Sequence, residues 1–339
     1  MVRTTGVGSM PGTDSAEATR IVAGELDVPH VVELPARGPG GDMVGRTLGL
    51  VTAVVGDFAA ETTPTGWRLA GGVAGQRPGR TMRLAASWLA EDLDRLEQQL
   101  DGFTGSVKVQ VVGPWTLAAA LESVRGTRLL ADAGACADLA AALAETVAAH
   151  VAEVARRIPQ AGVVVQLDEP SLPQVVAGGV RTPSGRGALR VPETPELSAA
   201  LARVAGSATV AGARGCIAHC CAAGVPFELL AGSGFAGISV DSGRVGREGD
   251  AALGAWWDRG GEVILGVAPA TDPAAGAERA LPESMARAIE ARWRRIGFGI
   301  ADVGQRTWLS PSCGLAGASP AWARQVGAAL RAAAGLLER

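Results

Sequence analysis

The sequence predicts an α/β protein, a single (β/α)8 TIM barrel over residues 1–339. Three observations predict it. Eight short runs are β-branched and nearly continuously apolar, as strands buried on both faces of a parallel sheet are. Segments rich in Ala, Leu, Arg and Glu with helical spacing separate most of them. The uncommon reactive side chains fall just after the runs, where a barrel of this kind places its chemistry.

The runs come in order as Thr4–Gly8, His30–Leu34, Lys108–Val112, Val163–Leu167, Gly215–Ala218, Ile238–Val240, Val263–Gly266 and Thr307–Leu309. The first helix is expected over Ser15–Leu26, after the Thr13/Asp14 cap signal. Arg83–Leu100 repeats Leu84, Leu89, Leu93, Leu96 and Leu100 at close to helical spacing. Ala135–Arg157 carries Leu139, Leu143, Val147 and Val151 on one side. Pro195–Val204, Pro226–Leu230, Asp250–Trp257, Glu278–Arg295 and Pro320–Leu337 complete the helices. Pro35–Met82, rich in Gly, Thr and Pro, reads as a hairpin or excursion, and Thr182–Thr194 as a loop insertion.

Composition narrows the class. At 47% hydrophobic and 19% charged, the chain is too apolar for disorder and too poor in charge for a coiled coil. With 31 basic against 34 acidic residues it has no nucleic-acid footprint. Lys108 is the single lysine; arginine supplies the other basic residues. Five cysteines in this length are no disulfide scaffold. No uncharged apolar run reaches the roughly 18 residues of a membrane span. The opening MVRTTGVGSMPG lacks a secretory pattern, so a cytoplasmic protein with reduced thiols is expected.

The residues just after the strands are Ser9, Glu33, Gly113-Pro114, Asp168-Glu169, His219-Cys220-Cys221, Asp241, Ala268-Pro269 and Cys313. Taken singly, a free Cys is a small buried hydrophobe and a lone His a satisfied core residue. Together, His219, Cys221, Asp241 and Cys313 read as a zinc set, because zinc takes imidazole, thiolate and carboxylate tetrahedrally. Cys216 and Cys136 read as structural, and Cys220 could replace Cys221 if the loop turned differently. Asp168 and Glu169 abut a buried strand, which is costly unless they bind something. They suit a cationic amino group or proton handling, or else a helix cap or ion pair. Glu33 reads similarly. Ser9 could offer its hydroxyl and backbone N–H groups to a carboxylate, and also suits an ordinary turn.

Two motifs are rejected. Gly232–Gly237 matches GxGxxG but lies between a helix and a strand, the reverse of a dinucleotide fingerprint. Arg37–Gly41 lacks the ending of a phosphate loop and reads as a flexible loop. Trp256-Trp257 reads as a helix-to-core anchor.

In these blocks the chain resembles the catalytic C-terminal barrel of cobalamin-independent methionine synthase, within the superfamily that includes uroporphyrinogen decarboxylase. The resemblance rests on Val7–Pro11, Gly113-Pro114, Gln166–Leu172, the His219-x-Cys221 pair and Trp308–Leu315. It implies zinc at His219, Cys221 and Cys313, with Asp241 where the family has Glu. It further implies Ser9 on the carboxylate and Asp168 on the amino group of homocysteine, with Glu33 a further acid of that site. Two departures stand out. No N-terminal folate-binding barrel is expected, and Leu265–Ala270 lacks the family's proton-donating His.

The function implied is a zinc-dependent S-methyltransferase converting homocysteine to methionine, with Asp168 as the catalytic residue. A thiol is about 8.5 in pKa and is activated as the metal-bound thiolate. The donor is a methylated folate or another methyl carrier, including a carrier protein; neither nucleic acid nor membrane is an expected partner. The alternatives are a corrinoid-linked or other thiol alkyltransferase of the superfamily, or a non-catalytic zinc- or ligand-binding barrel.

Overall fold

The strands that carry the site begin close to where the apolar runs predict them. The computed structural model describes residues 1–56, 58–70, 78–182, 185–274 and 281–338. Its strands are β1 (Arg3–Thr4), β2 (Ala60–Thr63), β3 (Gly66–Leu69), β4 (Ser106–Val112), β5 (Leu121–Glu122), β6 (Gly162–Asp168), β7 (Gly215–Cys220), β8 (Gly237–Asp241), β9 (Glu262–Ala268) and β10 (Thr307–Pro311). Seven form one sheet in the order β1-β10-β9-β8-β7-β6-β4, all paired in parallel. This is an α/β fold with a parallel sheet in half-barrel form.

The expected second strand, His30–Leu34, is present as bridges rather than as a regular strand. Thr5 bridges Val28 and Ser9 bridges Glu33 beside β1, while His30 bridges Lys108 on β4. The Val28 N–H donates to the Thr4 carbonyl at 2.9 Å, and the Lys108 N–H to that of Pro29 at 2.8 Å. Pro29 has no N–H to give to a ladder. The facing chain is crowded as well: a Cβ on Gly6 would fall 2.2 Å from His30 Nε2. The first strand is short for the same reason, ending at Thr4 rather than Gly8.

Strand alternation sorts the side chains into two sets. Val107, Val109, Val111, Val163, Val165, Leu167, Cys216, Ala218, Ile238, Val240, Val263, Leu265 and Leu309 join the large core shared with the helices. The alternate residues face the other way. Near the strand starts, Val28, Val164, Ile217, Ile264 and Trp308 form a separate apolar layer. The same side also carries polar residues, Lys108 and Ser239 level with that layer and Gln110, Gln166, Asp168 and His219 further along the strands, all buried. The apolar layer excludes water beneath, and the polar layer above it is what chemistry can use.

The helices start where their caps dictate. Asp14 accepts from the N–H groups of Ala16 and Glu17 and opens Ser15–Glu25. Asp132 caps Ala133–Arg157 through Ala135 N–H. Arg80–Gln99, Thr194–Val210, Phe227–Ala231, Arg247–Asp258, Pro282–Ile296 and Pro320–Leu336 occupy the other expected places. Residues 278–280 of the expected Glu278–Arg295 lie outside the described residues. Ala133–Arg157 is long and apolar enough to cross a membrane by length and composition. Here its Leu139, Leu143, Val147 and Val151 are buried, and it packs on Thr194–Val210 and Met43–Val55. Truncating Leu139 or Leu201 to Ala would cost about 2–5 kcal/mol.

The excursion between Pro35 and Met82 holds a helix, Met43–Val55, and the antiparallel hairpin β2–β3, which β5 extends in parallel. Residues 57 and 71–77 of it, and 183–184 of the Thr182–Thr194 loop, lie outside the described residues. Arg37 is fixed rather than flexible: its guanidinium reaches Asp92 at 3.1 Å and Glu91 at 3.2 Å. Trp256 and Trp257 are buried anchors, and Trp257 meets Trp293 edge-on at 5.3 Å.

Candidate active site

Parallel strands deliver their C-terminal residues to one end of the sheet. β6 ends at Asp168, β7 at Cys220 and β8 at Asp241, and β10 runs into Ser312-Cys313. Registers place Asp168 beside His219, His219 beside Ser239, and Asp241 beside Gly266.

Two cysteines meet here. Cys221 Sγ and Cys313 Sγ are 3.4 Å apart. The hydrogen bond with Cys221 is the main reason the Cys313 thiol is pulled down to about 6, with the Gly314 N–H adding to it and burial opposing. Cys221 is pushed the opposite way, first by that same bond and then by burial. Of the two, the exposed Cys313 is the one whose thiolate is favoured. Asp241 is close enough for its charge to oppose that thiolate. Its carboxylate accepts from the Gly243 N–H at 2.8 Å and pairs with Arg244 at 3.3 Å.

His219 lies 3% exposed with Nδ1 2.9 Å from Ser239 Oγ. Its Nε2 is buried without a partner. Burial, and then the charge of Lys108, hold the ring down at about 3, so it is neutral. A neutral imidazole with one nitrogen oriented and the other unpaired is the form that ligates metals.

Asp168 and Glu33 form the acidic side. Both are buried, at 5% and 4% exposure. Burial raises the Asp168 carboxyl well above its usual value, the nearby Glu33 raises it further, and Lys108 opposes. Burial likewise raises Glu33, against Arg46, Lys108 and a hydrogen bond from Gln110. Gln166 Nε2 donates to Asp168 Oδ1 at 2.7 Å. The Ser9 turn closes over this group. Leu315 N–H donates to the Ser9 carbonyl at 2.8 Å, and Met10 N–H to that of Glu33 at 2.8 Å. A Cβ on Gly314 would sit 2.0 Å from Ser9 Oγ, so only glycine lets the hydroxyl lie against the cysteine loop.

Glu169 belongs to the frame. Its carboxylate accepts from the N–H groups of Trp115 at 2.9 Å and Thr116 at 2.8 Å, and from the Thr116 hydroxyl at 2.7 Å. This is the helix-capping role, at the start of Pro114–Ala120. Gly113 is required beside it, since a Cβ there would meet Glu169 Oε1 at 2.3 Å. Cys136, Cys216 and Cys220 are buried free thiols.

Sequence reading missed Lys108, Gln110, Gln166 and Ser239 as site residues. The signal was alternation: Lys108 and Gln110, Gln166 and Asp168, and Ser239 interrupt otherwise apolar strands on one side, in strands with no solvent-facing side.

As placed, no group of three or more His, Cys, Asp or Glu side chains among the described residues could hold a metal ion. The donors nonetheless fit zinc in kind. Two facing sulfurs, one after β7 and one after β10, and a buried imidazole nitrogen without a partner at the end of β7 are donors of the types zinc takes. Asp241 is committed to its own loop, leaving the His219, Cys221 and Cys313 donors as the better-supported part of the expected set.

The model of the family described as "Cobalamin-independent synthase, Catalytic domain" matches residues 2–335. No curated protein matches the chain. Among solved structures, the chain is similar to a B12-independent methionine synthase from Shewanella sp. W3-18-1 in complex with selenomethionine. The two are 16% identical with a TM-score of 0.57, over 100% of this chain and 98% of that one, a likeness of fold. An exo-beta-agarase, 10% identical over 78% of this chain and 47% of its own, has a TM-score of 0.36, too low to carry an argument.

Proposed function

We propose a function from one premise: the chain belongs to the cobalamin-independent synthase catalytic-domain family. We read it as a zinc-dependent S-methyltransferase that methylates homocysteine, or a closely related amino-acid thiol, to the thioether. The observation that carries this reading is the Cys221–Cys313 pair, 3.4 Å apart with a thiolate favoured at Cys313, and with Cys221 on the same strand end that carries His219, whose Nε2 is buried without a partner.

Residues 1–339 are taken as one catalytic barrel, with segment 28–33 as the stave that closes it between β1 and β4. His219, Cys221 and Cys313 would hold the zinc ion, and Asp241 would be a weak fourth ligand that a substrate could replace. Zinc, when bound, supplies deprotonation of a coordinated thiol near neutral pH. The rest falls to the chain. Asp168 and Glu33 receive the substrate's ammonium group, and the Ser9 turn receives its carboxylate. The burial of Asp168 and Glu33 keeps water from competing for the ammonium end. The thiol gives up its proton, sulfur forms the new bond to the methyl carbon, and the donor leaves demethylated. Methylfolate or another methyl carrier would serve as donor. Ala268-Pro269 in place of a histidine favours a donor whose leaving group needs no proton from that loop.

The test is direct. Zinc-loaded protein is given homocysteine and methyltetrahydrofolate, or methylcobalamin, and methionine is measured. Homocysteine-dependent methionine from either donor supports the reading. Zinc and homocysteine binding without turnover of any methyl donor would instead mark a binding barrel.

A further inference from the structure

The interior of the barrel holds one lysine, and the Proposed function gives it no task. Lys108 is 0% exposed, points from β4 to the polar side, and sits under the acidic pair. Its ammonium donates to the carbonyl of Val7 at 2.8 Å. The same carbonyl accepts a second bond, from Gln166 Nε2 at 2.9 Å. Gln166 gives its other proton to Asp168 Oδ1 at 2.7 Å. The chain Lys108–Val7–Gln166–Asp168 therefore ties β4, the first strand's loop and β6 together at one oxygen.

Val7 stands two residues before Ser9, and no side chain of the turn itself fixes its height. Among the described residues, the turn's other hydrogen bonds are backbone bonds to Glu33 and to the cysteine loop. A carbonyl held by two buried donors, one charged, cannot shift without costing each of them a bond, which is expensive for side chains this deeply buried. We propose that Lys108 and Gln166 are positioning residues whose joint grip on the Val7 carbonyl sets the separation between Ser9 and Asp168. The pocket thereby selects thiols that carry both an amino and a carboxylate group at α-amino-acid spacing. This rests on the amino-acid-thiol reading above.

The consequence is specific. A ligand that touches both ends gains only while their separation is right. A ligand touching one end can follow it. The experiment measures binding to zinc-loaded protein of homocysteine, aminopropanethiol, mercaptobutyrate and propanethiol, by calorimetry, for wild type, Lys108→Met and Gln166→Leu. Lys108→Met is expected to weaken homocysteine about tenfold, leaving aminopropanethiol and mercaptobutyrate within about twofold. Lys108→Arg, which keeps a donor, is expected to restore part of the loss. Gln166→Leu carries the same test if Lys108→Met does not fold, with some added loss for aminopropanethiol because Asp168 loses a partner. Variants that keep the wild-type preference for homocysteine, or lose all four thiols equally, would overturn the inference. A wild type with no preference for homocysteine over propanethiol would overturn the amino-acid reading itself, and this inference with it.

Discussion

Cys221 and Cys313, 92 residues apart in the chain, bring their sulfurs to 3.4 Å at the ends of β7 and β10. Neither strand pairs with the other; β8 and β9 lie between them. The curvature of the sheet closes the distance. The hydrogen bond between the sulfurs makes Cys313 the acidic member.

Cys313→Ser removes the thiolate and replaces a soft donor with a poor one. The variant is expected to lose stoichiometric zinc and all thiol methylation, with its melting temperature in zinc-free buffer close to wild type. Metal analysis by plasma emission checks it. Retained zinc at one per chain would refute Cys313 as a ligand.

Asp168→Asn keeps the shape and removes the charge. Homocysteine affinity is expected to fall about tenfold or more, as for loss of a charged hydrogen bond, while propanethiol is spared. Competition binding with both thiols decides it; equal loss for both would deny Asp168 the ammonium group.

Gly314→Ala puts a methyl group where the Ser9 hydroxyl lies, at 2.0 Å. Ser9 has to move, so mercaptobutyrate and homocysteine are expected to weaken while aminopropanethiol holds. Overpacking of this kind costs about 1–3 kcal/mol, readable as a shift in urea midpoint. Unchanged mercaptobutyrate binding would separate Ser9 from the carboxylate.

His150 gives a pH prediction away from the site. Burial, then Arg46, hold it down at about 4 against an ordinary 6.5. Between these values the unfolded chain binds the proton and the folded one does not, so stability rises with pH. The contribution is present above 6.5 and is lost as pH falls through 4. His150→Leu is expected to flatten the urea midpoint against pH in that window, by up to about 3 kcal/mol. A variant with the wild-type slope would count against it.

The fold was legible wherever a strand is buried on both sides. Val163–Leu167 and Val263–Gly266 announce themselves as apolar runs, and β6 and β9 differ from them by a residue or two at either end. His30–Leu34 was half legible: its side chains say strand, but Pro29 and the crowding at Gly6 break its ladder into bridges. At the candidate site, His219, Cys221 and Cys313 were legible as residues gathered at the strand ends because reactive residues after a strand are rare, and Cys221 and Cys313 do meet. Lys108 and Gln166 were overlooked because attention went to the residues after the strands, while these two lie within them. Glu169 looked like a partner of Asp168, yet alternation turns it to the other face and onto a helix start. Asp241 lies at its expected place, but its bonds to Gly243 and Arg244 depend on a loop no pattern specifies.

The central claim is that one zinc ion, held by two cysteines and a histidine, takes a substrate sulfur. X-ray absorption at the zinc edge, followed while homocysteine is titrated into the metal-loaded protein, tests it most directly. The account predicts two sulfurs and one nitrogen among the ligands before addition and three sulfurs after it, with an oxygen lost. A zinc environment that gains no sulfur, or one that lacks the two protein sulfurs from the start, would contradict it.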